Sequence, residues 1–469
     1  MQADPRDQRI AELEAQLAAR DAQLAAAMAL IGKLERRIGA LEAQLAKNST
    51  NSSKPPSSDG PGVQRPEVKP KGAKRGGQPG HEPHRRELLP TERCRAVSAY
   101  KPERCRCGST HLSEARLHAR HQVVDLPSLV APVDEHQSFA CTCLDCGAEV
   151  VEPIPSEVLC SAFSAAVVGL VGQLTGEYHL TKRAVERFLR ALFGIDMSLG
   201  AVCDQEQTIA RAIAEPVREA HQAAKQAARA HADETGWRQG KKRAWLWVLV
   251  TQVATVFSID RSRGTPGALK LLGDAFDGVL TTDRWATYGA LSIRLRQLCW
   301  AHLIRDFVSW LDHRDGAPYA KALLADSKKM FKWWSHFKDG DLSRARFQKR
   351  MAKLMPGMLE LLEDAAVCPD AKVAGMAAEM LKLRDALFTF VDHEGVEPTN
   401  NAAERAIRHA AIWRKICFGT DSEKGSRYVE RVLTVVATLK QQGRDVRAYL
   451  TDAVHALRHG LPAPKLLPV

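Results

Sequence analysis

Apolar residues recur at every seventh position along the N-terminal part of the chain. One uninterrupted series consists of Ile10, Leu17, Leu24, Ile31, Ile38 and Leu45. A second series, offset by three, consists of Leu13, Arg20, Ala27, Leu34 and Leu41. This heptad predicts a helix that supercoils left-handedly with a partner, so residues 1–47 are assigned to a coiled coil that makes the chain a homo-oligomer. An intramolecular helical hairpin is the alternative, with which the charged Arg20 is compatible.

The next segment has the composition of a linker. The helix is expected to stop at Asn48, where Ser, Asn, Pro and Gly become dense. Residues 48–92 are poor in apolar side chains and rich in Lys and Arg, so they cannot bury enough surface to fold alone. We predict a flexible basic linker in which Lys71, Lys74 and Arg75 contact DNA phosphates. A solvated spacer is the other interpretation.

Five of the eleven cysteines lie between residues 105 and 146. The spacing C-x-x-C-G at residues 143–147 is that of a zinc knuckle, and C-x-C-G at residues 105–108 is its natural partner. Residues 93–155 are therefore predicted to form a small zinc-binding domain with the ligands Cys105, Cys107, Cys143 and Cys146. Because the first pair is one residue short, the substitutes within reach are Cys94, Cys141 and His111. Buried or free thiols are the alternative, and the odd total favours a reducing cytosol.

Residues 156–229 have helical periodicity. The helix that contains Val185, Phe188, Leu189 and Leu192 is expected to end at Gly194, and Ser198 is expected to cap the next helix. Two helices joined by a glycine-containing turn are compatible with a helix-turn-helix DNA-binding region. They are equally compatible with ordinary helical packing.

Strand character begins abruptly at residue 230. Three successive strand-like runs predict an antiparallel meander, followed by a helix over Gly267–Phe276 and a fourth strand over Asp277–Thr282. A further helix is predicted over Leu298–Trp310. This order is that of a ribonuclease-H-like α/β core. Residues 230–310 would form its first part, 311–395 a helical insertion and 396–469 its second part, which makes the chain a multidomain α+β protein.

Two aspartates of this predicted core lie where its strands should place them together. Asp233 lies in the first strand, and Asp283 directly follows the fourth, which neighbours the first in that topology. Carboxylate oxygens are suited to Mg²⁺, and two such ions can clamp the attacking and leaving oxygens of a phosphoryl transfer. Strand-end caps or ion pairs are the alternative. The formal net charge of +12 favours a polyanionic partner.

Four long motifs resemble the insertion sequence 66 family of bacterial transposases. They are DETGWRQGKKRAWLWV at 233–248, TTDRWATYG at 281–289, CWAHLIRDF at 299–307 and EPTNNAAERAIR at 397–408. The resemblance implies a DDE-type transposase with a ribonuclease-H-like core. It makes Asp233, Asp283 and Glu404 the catalytic ligands of Mg²⁺ or Mn²⁺. For Glu404 the alternative is a surface ion pair with Arg408, four residues further on.

Several residues beside these motifs are candidates for DNA contact or for support of the site. The basic side chains of the Glu404 helix are suited to phosphates, with a solvated face as the alternative: Arg405, Arg408, Arg414 and Lys415. Trp300 could wall the site or stack on bases, or belong to the core. His302 could contact the scissile phosphate or be a satisfied structural histidine.

The function expected from the resemblance is hydrolysis at the transposon ends and transfer of the freed 3′-hydroxyl into target DNA. The DNA partners would be the terminal inverted repeats and the target, and accessory proteins of the same element are plausible. Neither a signal peptide nor a membrane span is predicted, which favours the bacterial cytoplasm, with nucleoid association on DNA. The alternatives are a catalytically inactive DNA-binding regulator and a structure-specific nuclease.

Overall fold

The computed structural model describes residues 5–45, 87–127, 129–290 and 295–468. The predicted DNA contacts Lys71, Lys74 and Arg75 lie outside the described residues. The protein combines many helices with a mixed β-sheet, as predicted for an α+β protein. Across the described ranges, no helix has both the length and the apolar character needed to cross a membrane.

The N-terminal heptads form one continuous helix, α1 (Pro5–Leu45). The helix does not fold back within this segment. Seam residues such as Leu17 and Leu24 are 62% and 61% exposed. The predicted helix is confirmed, and no other segment among the described residues covers its apolar seam, so the coiled coil itself stays a prediction.

Two short strands, β1 (Ala140–Thr142) and β2 (Glu149–Val151), pair as an antiparallel hairpin in the cysteine-rich region. The helical segment that follows contains five helices: α2 (Ser156–Leu159), α3 (Ala165–Gly176), α4 (Lys182–Phe193), α5 (Leu199–Ala212) and α6 (Ala214–Lys225). As predicted, α4 ends at Gly194 in the left-handed conformation, and the Ser198 side chain caps α5.

The central sheet has five strands in the order β5-β4-β3-β6-β7. Their bounds are β3 (Arg229–Gln239), β4 (Lys242–Val250), β5 (Thr255–Asp260), β6 (Val279–Thr282) and β7 (Arg296–Leu298). The first three strands form the predicted antiparallel meander, and β6 lies next to β3, as predicted, and runs parallel to it. β7, parallel to β6, was not predicted, because three residues are too few to show a strand period.

Helices cover both faces and one edge of the sheet. The predicted crossover helix is shorter than expected, α7 (Thr265–Leu272), because Gly273 ends it, and α8 (Trp300–Trp310) begins after the unpredicted strand. The helices after α8 are α9 (Ala317–Lys338), α10 (Arg344–Ala366), α11 (Ala371–Leu381), α12 (Thr389–Asp392), α13 (Asn401–Cys417), α14 (Glu423–Gln441) and α15 (Val446–Arg458).

β5 is an edge strand of the sheet, and α14 covers its free edge through side-chain hydrogen bonds. Backbone N–H groups of alternate β5 residues donate to the Thr438 and Thr434 hydroxyls at 3.1 and 3.0 Å. The spacing of four residues in the helix matches the spacing of two in the strand. An edge satisfied in this way is unavailable for pairing with another chain.

Two large apolar cores flank the sheet. One is built by the meander with α13, α14 and α15, and the other by α8 with α9 to α12. The first core fixes the strand that carries Asp233, and the second fixes the helix that follows Asp283. The boundary between these cores is therefore where the candidate residues lie.

Candidate active site

Asp233, in β3, and Asp283, the first residue after β6, lie at equivalent positions along two neighbouring parallel strands. The pairing between β3 and β6 ends with His231 opposite Thr281. Asp233 and Asp283 each come two residues after these paired residues. Because side chains alternate along strands, both carboxylates point to the same face of the sheet.

Glu404 reaches this face from the first turn of α13. The start of α13 is fixed by Asn400, whose side-chain amide donates to the Ala232 carbonyl at 2.7 Å. The backbone N–H of Asn400 donates to Cys299 Sγ at 3.1 Å. The helix that carries Glu404 is thereby joined to the residue before Asp233.

Asp233 lies close enough to Asp283 and Glu404 to be affected by the charges of both. Burial raises the pKa of the Asp233 carboxyl well above its usual range, and the charges of Glu234, Asp283 and Glu404 raise it further. Burial also raises the pKa of Asp283, against a hydrogen bond of 2.8 Å from the Trp285 backbone N–H to Oδ1. Such a site disfavours several uncompensated negative charges, and a divalent cation would relieve this repulsion.

On its other side Glu404 faces α8. Its Oε1 lies 3.6 Å from His302 Nδ1 and 3.7 Å from the Arg305 guanidinium. No ion pair joins Glu404 to Arg408 in the part of the chain that the structure describes, so the surface-pair alternative finds no support. Burial lowers the pKa of His302 to about 3, helped by the charge of Arg305, so this imidazole is neutral at physiological pH.

Glu234, its two partners and a buried arginine complete the environment and were missed from the sequence. Glu234 Oε1 accepts from Arg263 at 3.1 Å, and its Oε2 accepts from the Tyr288 hydroxyl at 3.0 Å. The buried Arg296 of β7 donates to the Asp283 carbonyl at 3.1 Å. The adjacency of Glu234 to Asp233 was a visible signal. Tyr288 also lies within the motif at 281–289, whereas Arg263 and Arg296 lie in segments that carried no such signal.

The tryptophans near the motifs have different places. Trp300 is 1% exposed, packs on Phe388 and donates its indole N–H to the Leu387 carbonyl at 2.6 Å, so it belongs to the core. Trp285 is 38% exposed beside Asp283, and the Arg263 guanidinium lies 3.9 Å from its ring centroid.

The basic residues of α13 also divide into two groups. Arg405, Arg408 and Lys415 are exposed. Arg414 is partly buried and donates to the Thr235 hydroxyl at 2.9 Å and to the backbone of β3. Its contacts are those of a residue that attaches α13 to the sheet.

The predicted zinc ligands lie in two glycine-closed turns. The N–H of Gly108 donates to the Cys105 carbonyl at 2.9 Å, and that of Gly147 to the Cys143 carbonyl at 2.8 Å. Backbone N–H donors, from Ser109 and from Cys146, lower the pKa of the Cys107 and Cys143 thiols respectively. Within the described ranges the two pairs do not converge on a common cluster, so this ligand set stays a prediction.

Comparison with known proteins gives two family matches. The transposase IS66 family matches residues 162–428, and a family of unknown function, DUF6444, matches residues 2–87. The first match covers more than half of the chain and contains all three candidate carboxylates.

Two curated relatives from Sinorhizobium fredii are themselves uncharacterized. Protein y4qI is 27% identical over 248 residues, which are 48% of this chain and 46% of y4qI. Protein y4hP is 25% identical over 397 residues, 74% of this chain and 69% of y4hP. The chain thus spans about half the length of the first relative and about two thirds of the second. On the breadth of the family match, which extends from α3 through the sheet to α14, this chain belongs to the IS66 family of transposases.

Proposed function

We propose that this chain is a DDE transposase whose catalytic residues are Asp233, Asp283 and Glu404. The observation that carries the proposal is the meeting of these carboxylates from β3, the end of β6 and α13, where burial raises the pKa of both aspartates and the charges of Asp283 and Glu404 raise that of Asp233 further. A reaction at phosphodiesters needs such a concentration of oxygen ligands for divalent cations.

The sheet order supports a ribonuclease-H-like core. An antiparallel meander whose first strand pairs in parallel with a fourth strand, which in turn pairs in parallel with a fifth, is the topology that this fold requires. Helices α9 to α12 separate Asp283 from Glu404 in sequence and would be an insertion into that core. An insertion that folds as a separate helical unit would leave Asp283 and Glu404 close together in space despite their separation in sequence.

The three carboxylates would hold Mg²⁺ or Mn²⁺, and the Oε1 of Glu404, which is buried without a hydrogen-bond partner, is consistent with a cation ligand. When bound, the cations would stabilise charge on the attacking and leaving oxygens of an in-line displacement. The chain's own residues keep the carboxylates in place: Arg296 holds the Asp283 backbone and Asn400 holds α13. Water would attack at the transposon end, and the freed 3′-hydroxyl would then attack target DNA.

The test is cleavage and strand transfer with oligonucleotides of the element's terminal inverted repeats, in Mg²⁺ or Mn²⁺. Asp283→Ala and Glu404→Ala are expected to abolish both steps. The exposed Asp274→Ala and Glu423→Ala serve as matched controls. Full activity of Asp283→Ala would refute the assignment. Specific binding without cleavage would support an inactive regulator, and cleavage without joining would support a nuclease.

DNA is the proposed partner, through the exposed Arg405, Arg408 and Lys415 and through the basic linker with Lys71, Lys74 and Arg75. The uncovered seam of α1 supports homo-oligomerisation, which would bring two transposon ends together. Accessory proteins of the same element are further proposed partners. A chain acting on chromosomal DNA would work in the bacterial cytoplasm, at the nucleoid.

We further propose that Cys105, Cys107, Cys143 and Cys146 hold a structural Zn²⁺. The two glycine turns and the lowered thiol pKa values in each pair support this proposal. Cys143→Ser is expected to remove about one equivalent of zinc per chain. Cys160→Ser, an exposed cysteine outside both pairs, is the control.

A further inference from the structure

Three side chains of different chemistry meet at the junction of α8 and α13. Cys299 and His302 lie three residues apart at the start of α8, and Glu404 faces them from α13. One ligand atom from each of the three lies within 4.8 Å of the others. Among the described residues this is the one such group of three or more His, Cys, Asp and Glu side chains.

Two ligand atoms of this group lack a hydrogen-bond partner. His302 Nδ1 and Glu404 Oε1 are both buried, and neither has a hydrogen-bond partner. Their separation of 3.6 Å is close to the roughly 3.5 Å between ligand atoms around a tetrahedral ion with bonds of about 2.0–2.3 Å. Two unsatisfied atoms at that spacing are arranged as ligands of one ion.

The donor set differs from that of the candidate catalytic trio. Sulfur, imidazole nitrogen and one carboxylate oxygen favour Zn²⁺, whereas an all-carboxylate set favours Mg²⁺. Glu404 belongs to both sets. We propose that Cys299, His302 and Glu404 form a Zn²⁺ site, and that its occupancy withdraws Glu404 from the catalytic trio and inhibits the enzyme. The inhibitory consequence rests on the proposed function, whereas the binding does not.

Two neighbours set the conditions for binding. The Asn400 N–H donates to Cys299 Sγ and would stabilise a thiolate there, while the thiol proton leaves to solvent. The Arg305 guanidinium, 3.7 Å from Glu404 Oε1, competes with a cation. Arg284 is the other nearby cation, and its charge is compensated by Asp306 at 2.5 Å. Removing the Arg305 charge should therefore tighten Zn²⁺ binding.

Binding is tested on the full chain without DNA. Zn²⁺ affinity is measured by competition with a chromophoric chelator, and Co²⁺ substitution reports sulfur ligation by its charge-transfer absorption. Cys299→Ser is expected to bind about one equivalent of metal less than the wild type. Because Cys299 is a proposed ligand, the affinity of that site should fall by more than about 100-fold, the upper end of the loss seen when a residue that only supports a ligand is removed. Arg305→Gln is expected to raise the affinity.

Cys368→Ser is the matched control, because Cys368 is a buried free thiol in the second core. Cys368→Ser should bind as much Zn²⁺ as the wild type does. Cys143→Ser shows how much of the bound Zn²⁺ belongs to the predicted zinc knuckle. Unfolding curves verify that each variant is folded. Equal Zn²⁺ stoichiometry and equal Co²⁺ spectra for wild type and Cys299→Ser would overturn the proposed site.

Inhibition is tested by comparing the cleavage rate of each protein with and without added Zn²⁺. Adding Zn²⁺ to the Mg²⁺-dependent cleavage reaction should lower the rate of wild type at least about tenfold more than that of Cys299→Ser. Equal inhibition of both would refute the regulatory role. A protein that never cleaves DNA but binds Zn²⁺ through Cys299 would refute the proposed function and leave the site intact.

Discussion

The side-chain amide of Asn400 donates a hydrogen bond of 2.7 Å to the carbonyl of Ala232, the residue before Asp233. Asn400 is 1% exposed, and its backbone N–H donates to the thiol of Cys299. One buried residue therefore connects the strand of Asp233, the beginning of α8 and the helix of Glu404. The geometry of the carboxylate trio depends on this connection.

Asn400→Ala should therefore reduce catalysis without removing any proposed ligand. A displacement of about 1 Å can cost on the order of 100-fold in rate, and the unpaired Ala232 carbonyl should cost about 1–3 kcal/mol of stability. Cleavage rates and urea unfolding measure the two effects. The exposed neighbour Asn401→Ala is the control, and equal rates for both variants would contradict the positioning role.

Asp233→Asn should stabilise the metal-free protein by about 1–2 kcal/mol at neutral pH, because it removes a buried charge beside Glu234, Asp283 and Glu404. The folded-state pKa of Asp233 lies above the unfolded value. Ionisation therefore costs stability as pH rises, and the advantage of the variant should shrink in acid.

Unfolding in chelator at pH 7.5 and pH 5 measures this effect, with the exposed Asp274→Asn as the control. Added Mg²⁺ should stabilise the wild type more than Asp233→Asn, since a ligand bound only by the folded state raises its stability. A variant that is less stable than wild type in chelator at pH 7.5 would show that repulsion does not dominate at Asp233.

Arg408→Ala and Arg414→Ala should separate DNA contact from helix attachment. The exposed Arg408 is expected to contribute to DNA affinity. Its loss should reduce the slope of log affinity against log salt concentration by about the amount that corresponds to one phosphate contact. Arg414 is bonded to β3, so its loss should lower stability by about 1–3 kcal/mol and leave the salt dependence unchanged. Fluorescence anisotropy across a salt series and denaturant unfolding distinguish the two variants, and the reverse pattern would reject this division.

Leu24→Glu should prevent self-association of the chain. Leu24 lies in the middle of the exposed seam of α1, and burying a leucine contributes about 1.5–3 kcal/mol. Ala29→Glu, on the opposite face of the same helix, should leave the oligomer intact. Light scattering during size-exclusion chromatography measures the mass. A monomeric wild type would contradict the predicted coiled coil.

The local pattern of apolar and polar residues was sufficient to predict much of the secondary structure and part of the candidate site. The meander, the strand that leads into Asp283 and the caps at Gly194 and Ser198 were predicted because each depends on neighbouring residues. β7 and the precise beginning of α8 were not, because three residues contain too little pattern. The family was identified from motif residues and confirmed by the match over residues 162–428.

The sequence by itself determined which residues carry the candidate chemistry, since Asp233, Asp283 and Glu404 could be named from strand ends and motifs. Tertiary structure alone decided what surrounds them. Packing brings Arg305 and His302 to Glu404, places Trp300 in the core and turns Arg414 towards β3. The physical reason is that a strand or helix is specified by contacts a few residues apart. Burial, pKa shifts and shared ligands arise instead from side chains far apart in sequence, whose approach no local period encodes.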